Sequence, residues 1–236
     1  MGKKKFLGGK NSNAYIVFYS TVMVVIVAIM LAFTSLSLKD RQNANELNEK
    51  KDAIVASLGL EKGSYDEVIE AYVVNKEGQV IETAETPLQK LFDLVGSHAK
   101  GEYPVFENKA TGEVVFPLTG KGLWDDIWGY VALEADLNTI KGAIFDHAGE
   151  TPGLGAEIAT PKFQAQFPGQ TIYEEGQLVG IYVVKGGAKG AAHSVDAVTG
   201  GTKTSEGLQN MIKNCLDNYD AFLKVRQANV VTENAE

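Results

Sequence analysis

The chain changes character near residue 38. Residues 11–38 carry no charge, and their centre, Ala14 to Phe33, is almost wholly apolar. An apolar run of about 20 residues is the length of helix that crosses a hydrocarbon core. From Arg41 to Leu58 the apolar residues fall at Ala44, Leu47, Ile54, Val55 and Leu58. Two of these steps are three and one is seven, about two helical turns, which predicts an amphipathic helix. It either continues the apolar segment or packs onto the base of a domain. Gly59 suits the left-handed position that ends such a helix.

Shorter patterns come next. Ser64-Tyr65-Asp66-Glu67 reads as a capping box before a brief helical turn. Ile69–Val74 predicts a strand, Asn75–Gly78 its turn and Gln79–Ile81 the return strand. Thr86-Pro87 opens a short helix through Leu94, with Pro87 at its first position. Val105–Phe106 and Val114–Phe116 are strands around a polar turn, Asn108–Gly112. Ile127–Leu133, Thr139–Phe145 and Leu178–Val184 are further strands, and Pro161–Phe167 is a helical turn or two. Leu208, Met211, Ile212, Leu216, Tyr219, Phe222 and Leu223 repeat at helical spacing, so one helix is expected from about Ser205 to Leu223. The fold class is α+β: an N-terminal membrane-spanning helix, then a twisted, mostly antiparallel sheet with the last helix beside it.

Charge adds a direction. Lys3, Lys4, Lys5 and Lys10 precede the apolar run, which predicts a cytoplasmic N-terminus and an outer location for the residues after Leu38. A cleaved signal peptide also begins with a basic region, but its apolar core is shorter, and Thr34-Ser35-Leu36-Ser37 is not an Ala-x-Ala cleavage site. The formal net charge of −8 speaks against a nucleic-acid partner. One cysteine, Cys215, leaves no disulfide framework, and three histidines without clustered cysteines do not suggest a metal site.

Candidate chemistry concentrates between Ser194 and Gly207. Asp196, Thr199, Gly200, Gly201 and Thr202 precede the last helix. Free amides and the positive end of a helix dipole favour a phosphate there, and two glycines permit close approach. Thr202, Thr204 and Ser205 supply hydroxyls for hydrogen bonds or for a phosphoester. An ordinary N-cap accounts for the same residues without a ligand. A nucleophilic hydroxyl enzyme would need a base, for which His147 and His193 are the candidates. Thr151-Pro152-Gly153-Leu154-Gly155 is a second tight loop, equally readable as a plain turn. Trp124 and Trp128 are core residues or, for one of them, the lining of an aromatic ligand.

Asp196-x-x-Thr199-Gly200-Gly201-Thr202 resembles the flavinylation signature of the FMN-binding domain family, Asp-x-x-Ser/Thr-Gly-Ala-Thr, in which the last threonine bears FMN through a phosphoester. That residue is Thr202 here, and the chain departs from the pattern at Gly201. The N-terminal span, Gly120–Trp124, Glu150–Gly155 and the terminal helix resemble the C-subunit family of the sodium-translocating NADH:quinone reductases. The G subunits of Rnf-type ferredoxin:NAD oxidoreductases are the alternative. A flavin-free, membrane-anchored interaction domain is another.

The resemblance implies an electron-relay subunit of a six-subunit translocase in the inner membrane. Electrons would pass from iron held in the membrane to a covalent FMN, then to the FMN of the B subunit. It implies the B, D and E subunits as partners and a separate FMN transferase. It places Glu150, Thr151, Gly153, Leu154 and Trp124 near the flavin, beside Asp196, Thr199, Gly200, Gly201, Thr204 and Ser205. The expected organisation is a basic tail at 1–10, a span at 11–38, a linking segment at 39–63, an FMN-binding domain at 64–225 and a tail at 226–236.

Overall fold

The computed structural model describes residues 13–82 and 93–233. Helix α1, Asn13–Ser57, is a single unbroken helix of 45 residues and is long and apolar enough to cross a membrane. Contacts divide the chain into two units, Met1–Asn48 and Glu49–Glu236. In the first, the apolar side chains from Ile16 to Leu38 point outward, as a lipid-facing helix requires. In the second, the last turns of α1 carry Ile54, Val55 and Leu58 into the core. Both readings of segment 41–58 therefore hold: the helix continues, and its end packs. Gly59 (φ 74°) terminates it, with Leu60 N donating to Val55 O at 2.9 Å.

The second unit is built on six strands: β1 Ile69–Val74, β2 Val80–Glu82, β3 Tyr103–Asn108, β4 Val114–Lys121, β5 Asp126–Leu133 and β6 Ile140–His147. They form one antiparallel sheet in the order β2-β1-β3-β4-β5-β6. Successive side chains point to opposite faces, so each central strand feeds two cores. Tyr72, Val74, Phe116, Leu118 and Val131 face one core; Ala71, Val73, Val115, Tyr130 and Ala132 face the other. The end of α1 and Tyr65 of the short helix α2, Tyr65–Val68, cover the second face. Helix α3 is Leu94–Ala99 and helix α4 is Pro161–Gln164.

Helices α5, Thr202–Asp217, and α6, Asp220–Glu233, cover the first face with Leu208, Met211, Ile212, Leu216, Phe222 and Leu223. Fully burying one such side chain stabilises the fold by about 1.5–3 kcal/mol. Two positions let α5 lie close to β4. A Cβ on Gly207 would meet Lys121 O at 2.3 Å, and one on Gly120 would meet Met211 Cβ at 2.8 Å.

Several expectations change. Ser64 does not close a capping box; its Oγ donates to Glu61 O at 2.7 Å and makes no cap bond. Strand Leu178–Val184 is two pieces. β7 Tyr173–Glu174 and β8 Gln177–Leu178 form a hairpin, and β9 Tyr182–Val184 pairs in parallel with β10 Ser194–Asp196. Gly180 (φ 70°) turns the chain between them. The terminal helix starts at Thr202 rather than Ser205 and breaks at Asn218-Tyr219. It then runs beyond residue 225: Arg226 forms a two-pronged ion pair with Glu107 on β3 (2.5 and 2.8 Å) and donates to the Tyr72 hydroxyl. The Thr86–Pro87 helix start lies outside the described residues.

Candidate functional site

Three segments meet at one end of the sheet. The first is the loop 122–125 that joins β4 to β5. The second is Glu150 to Gly155, just after β6. The third is the turn that leads from β10 into α5. Lys121 pairs with Asp126 and Ile127 with His147, so the first two segments emerge side by side.

The turn before α5 is fixed by its own backbone. Gly201 N donates to Val198 O at 3.0 Å, and Gly200 holds φ 76°, a conformation that costs glycine little. Ser205 N donates to Gly201 O at 2.9 Å, and Val198 N donates to Ser205 Oγ at 3.1 Å. The turn is thus stitched to the first turn of the helix. Gly201 stands at the N-cap and brings no side-chain acceptor, and the first helical turn has no acidic residue. Among the described residues the amides of Thr202, Lys203 and Thr204 find no acceptor. The amides of the exposed Thr202 and Lys203 and the positive end of a 16-residue helix therefore remain open beside an exposed Thr202 hydroxyl, while Thr204 is buried.

Glu150 binds the three segments together. It is 4% exposed. One carboxylate oxygen accepts from Trp124 N at 2.9 Å, the other from the Thr204 hydroxyl at 2.5 Å. The same carboxylate fills the space where Gly122 and Gly155 would carry a Cβ, at 2.4 and 2.3 Å. Burial pushes its pKa up. The Thr204 hydroxyl and the amides of Trp124, Asp125 and Leu123 outweigh that and hold the carboxyl below the usual range. Glu150 N in turn donates to His147 Nδ1 at 3.3 Å.

The sequence-derived residues therefore separate into two groups. Thr202, Thr199, Gly200, Thr151, Gly153, Leu154 and Trp124 are exposed at this end of the sheet. The Trp124 indole is 70% exposed on its loop. Leu154 lies against the signature turn, where a Cβ on Gly200 would meet its Cδ2 at 2.6 Å. Glu150, Thr204 and Ser205 are buried and bond to one another's segments, so they stand behind the exposed surface. Gly201 is buried as well; a Cβ there would lie 2.9 Å from Val198 Cγ1 and 3.3 Å from Gly155 N.

Asp196 points elsewhere. Its carboxylate accepts from Ala188 N of the glycine-rich loop, and its amide donates to Gln166 Oε1 at 2.8 Å. No nucleophile–base pair forms among these residues. The His193 ring bonds Thr171, His147 bonds the Glu150 amide, and Cys215 is a buried thiol donating to Thr119 O. Sequence reasoning did not find the clamp made by Glu150. The nearest signal was an acid flanked by Gly149 and a proline–glycine turn, which reads equally well as a solvated loop.

The FMN-binding domain family matches residues 122–217, the span that holds all three segments. The C subunit of the Na(+)-translocating NADH-quinone reductase from Vibrio anguillarum is 30% identical over 220 residues, covering 82% of this chain and 86% of that protein. Its counterpart from Pasteurella multocida is 48% identical over 101 residues, 43% of this chain and 39% of that one. The crystal structure of the same subunit from Parabacteroides distasonis superposes with a TM-score of 0.71 at 38% identity, covering 79% of this chain and 96% of that chain. In sequence and in fold, the chain belongs to the C-subunit family of the Na(+)-translocating NADH-quinone reductases.

Proposed function

We propose that this chain is an electron-relay subunit of a sodium-translocating NADH:quinone reductase and carries FMN joined by a phosphoester to Thr202. The observation that carries the reading is the exposed Thr202 hydroxyl on the first residue of α5, next to the open amides of Thr202 and Lys203 and inside the family-matched span. These donors suit a phosphate, and Gly200 and Gly201 add no side chain of their own, which lets Leu154 and Val198 pack directly against the turn. FMN supplies reversible uptake of electrons; the protein positions it and sets its environment. Thr202 holds the phosphate covalently, and Thr199 adds a neighbouring hydroxyl. Leu154 and Trp124 offer apolar surface to the ring system, and Thr151 and Gly153 shape the loop that carries Leu154. Asp196 orients the strand entering the signature through the Ala188 amide.

In this reading α1 anchors the protein in the inner membrane, with the lysine-rich tail cytoplasmic and the flavin domain on the outer face. A separate FMN transferase attaches the cofactor there. The B, D and E subunits are the neighbours in electron transfer, with D and E holding the iron from which electrons arrive and B taking them onward. The segments 1–10, 11–38, 39–63, 64–225 and 226–236 are the proposed tail, span, link, flavin domain and C-terminal tail, with the end of the link seated in the domain core at Ile54, Val55 and Leu58 and Arg226 bonding back to Glu107.

The test is the intact mass of the membrane-extracted chain, made in cells with an active FMN transferase. The native chain is expected to gain the mass of one FMN less one water, and Thr202→Ala to gain nothing. An unmodified native chain overturns the covalent assignment. A modified Thr202→Ala chain overturns the residue.

A further inference from the structure

The site holds a buried acid with no cationic partner. Among the described residues Glu150 forms no ion pair; every contact to its carboxylate comes from a hydroxyl or a backbone amide. The contacts reach three segments far apart in sequence: Thr204 is 54 positions away and Trp124 is 26. Gly122 and Gly155 leave the carboxylate its room, since a Cβ at either would collide with it. Such a group is costly to bury unless its donors are all in place. Those donors suffice to hold the carboxyl below the usual range.

Its position gives the charge a consequence. Thr204 is two residues beyond Thr202, about 3 Å further along the α5 axis. Gly155, which touches the carboxylate, also lies against Gly201. Glu150 thus lies directly behind the turn that presents Thr202, in a dry setting where a fixed charge acts strongly on its neighbours. We propose that Glu150 is a positioning residue whose buried carboxylate both sets the start of α5 and lowers the reduction potential of a flavin on Thr202. The proposal rests on the flavin assignment above. The physics is simple: adding an electron beside a fixed negative charge costs more than adding it beside a neutral amide of the same shape.

Two variants separate charge from shape. Glu150→Gln keeps the length and can still accept from Trp124 N, while its amide donates to the Thr204 hydroxyl. Glu150→Asp keeps the charge but is one methylene too short to span both contacts. Each is made in the full chain, and the midpoint potential of the attached FMN is read by spectroelectrochemical titration. Attachment is followed by intact mass and stability by thermal unfolding.

The expected result is flavin on all three proteins. Glu150→Gln shifts the midpoint to more positive values, with a small loss in melting temperature as the carboxylate's charge-assisted bonds become neutral ones. Glu150→Asp melts earlier, with its midpoint close to native. A Gln variant that carries flavin at the native potential overturns the proposal. Should that variant not fold, an Asp variant whose potential rises despite its retained charge overturns it instead. Failure of the Thr202 assignment looks different: the native chain itself would carry no flavin.

Discussion

Replacing Gly207 with alanine tests how closely α5 is held to the sheet. In an open helix the change adds about 1 kcal/mol of stability, because glycine is a poor helix former. Here the new methyl would lie 2.3 Å from Lys121 O, a backbone atom inside β4. Ordinary contact begins near 3.4 Å, so the helix must recede by about 1 Å. The Met211 side chain packed on Gly120 would lose contact at the same time. Overpacking of this kind costs about 1–3 kcal/mol, and a backbone obstacle belongs in the upper half of that range.

The net expectation is a loss of about 1–2 kcal/mol. For a unit of this size that is a fall of roughly 2–8 °C in melting temperature. Urea unfolding of the detergent-solubilised chain, followed by fluorescence of Trp124 and Trp128, measures it. Asn210→Ala on the exposed face of the same helix is the control, with an expected gain of about 0.5 kcal/mol. If Gly207→Ala were as stable as native while the control behaved, the close approach would not be holding the helix. On the flavin assignment proposed above, a second consequence is lower FMN attachment, since Thr202 opens the displaced helix.

Arg226→Ala should lower stability by about 2 kcal/mol in the same urea assay, because it removes a charged two-pronged hydrogen bond and leaves Glu107 half-buried with only Tyr72 beside it. Stability should also fall on acidification. Burial raises the Glu107 carboxyl, but the Arg226 and Tyr72 hydrogen bonds outweigh it, so both Glu107 and Glu150 sit below the usual range. Their contribution is complete above the unfolded carboxylate value of about 4.3 and is lost as pH drops through the lower folded value. The urea midpoint should therefore hold steady near neutrality and fall from about pH 4.5 downward, less steeply in Glu107→Gln.

Much of the sheet was legible because its strands announce their ends. Ile69–Val74 stops at a polar turn closed by Gly78, and β5 and β6 are apolar runs separated by Glu134–Asn138. The helix break was not legible. Leu216, Tyr219, Phe222 and Leu223 keep helical spacing straight across Asn218-Tyr219, and periodicity reports which face is buried, not whether the backbone is continuous. What holds the joint is Tyr219, whose fully buried hydroxyl donates to Pro104 O at 2.8 Å, 115 positions away.

The candidate site was half legible. Thr202 and its glycines are local in sequence, so a signature could point to them. The resemblance named Glu150, but its bracing role was not legible without knowing that β6 ends beside the start of β5 and the loop that leads into it. Likewise Thr204 and Ser205 looked like ligand hydroxyls, because a hydroxyl that caps its own fold and one that faces a ligand are written with the same letters.

The bond between Glu150 and Thr204 also bears on the order in which this protein becomes complete. Most strand pairings in the sheet join near neighbours in the chain, which close at low entropic cost. The Thr202 turn closes its own local bonds, but Thr204, in the first turn of α5, gains Glu150 only after the sheet and α5 have met. On the proposed flavin assignment, an enzyme that reads this braced helix start would act on a finished domain and not a nascent peptide, and cofactor attachment would double as a folding checkpoint.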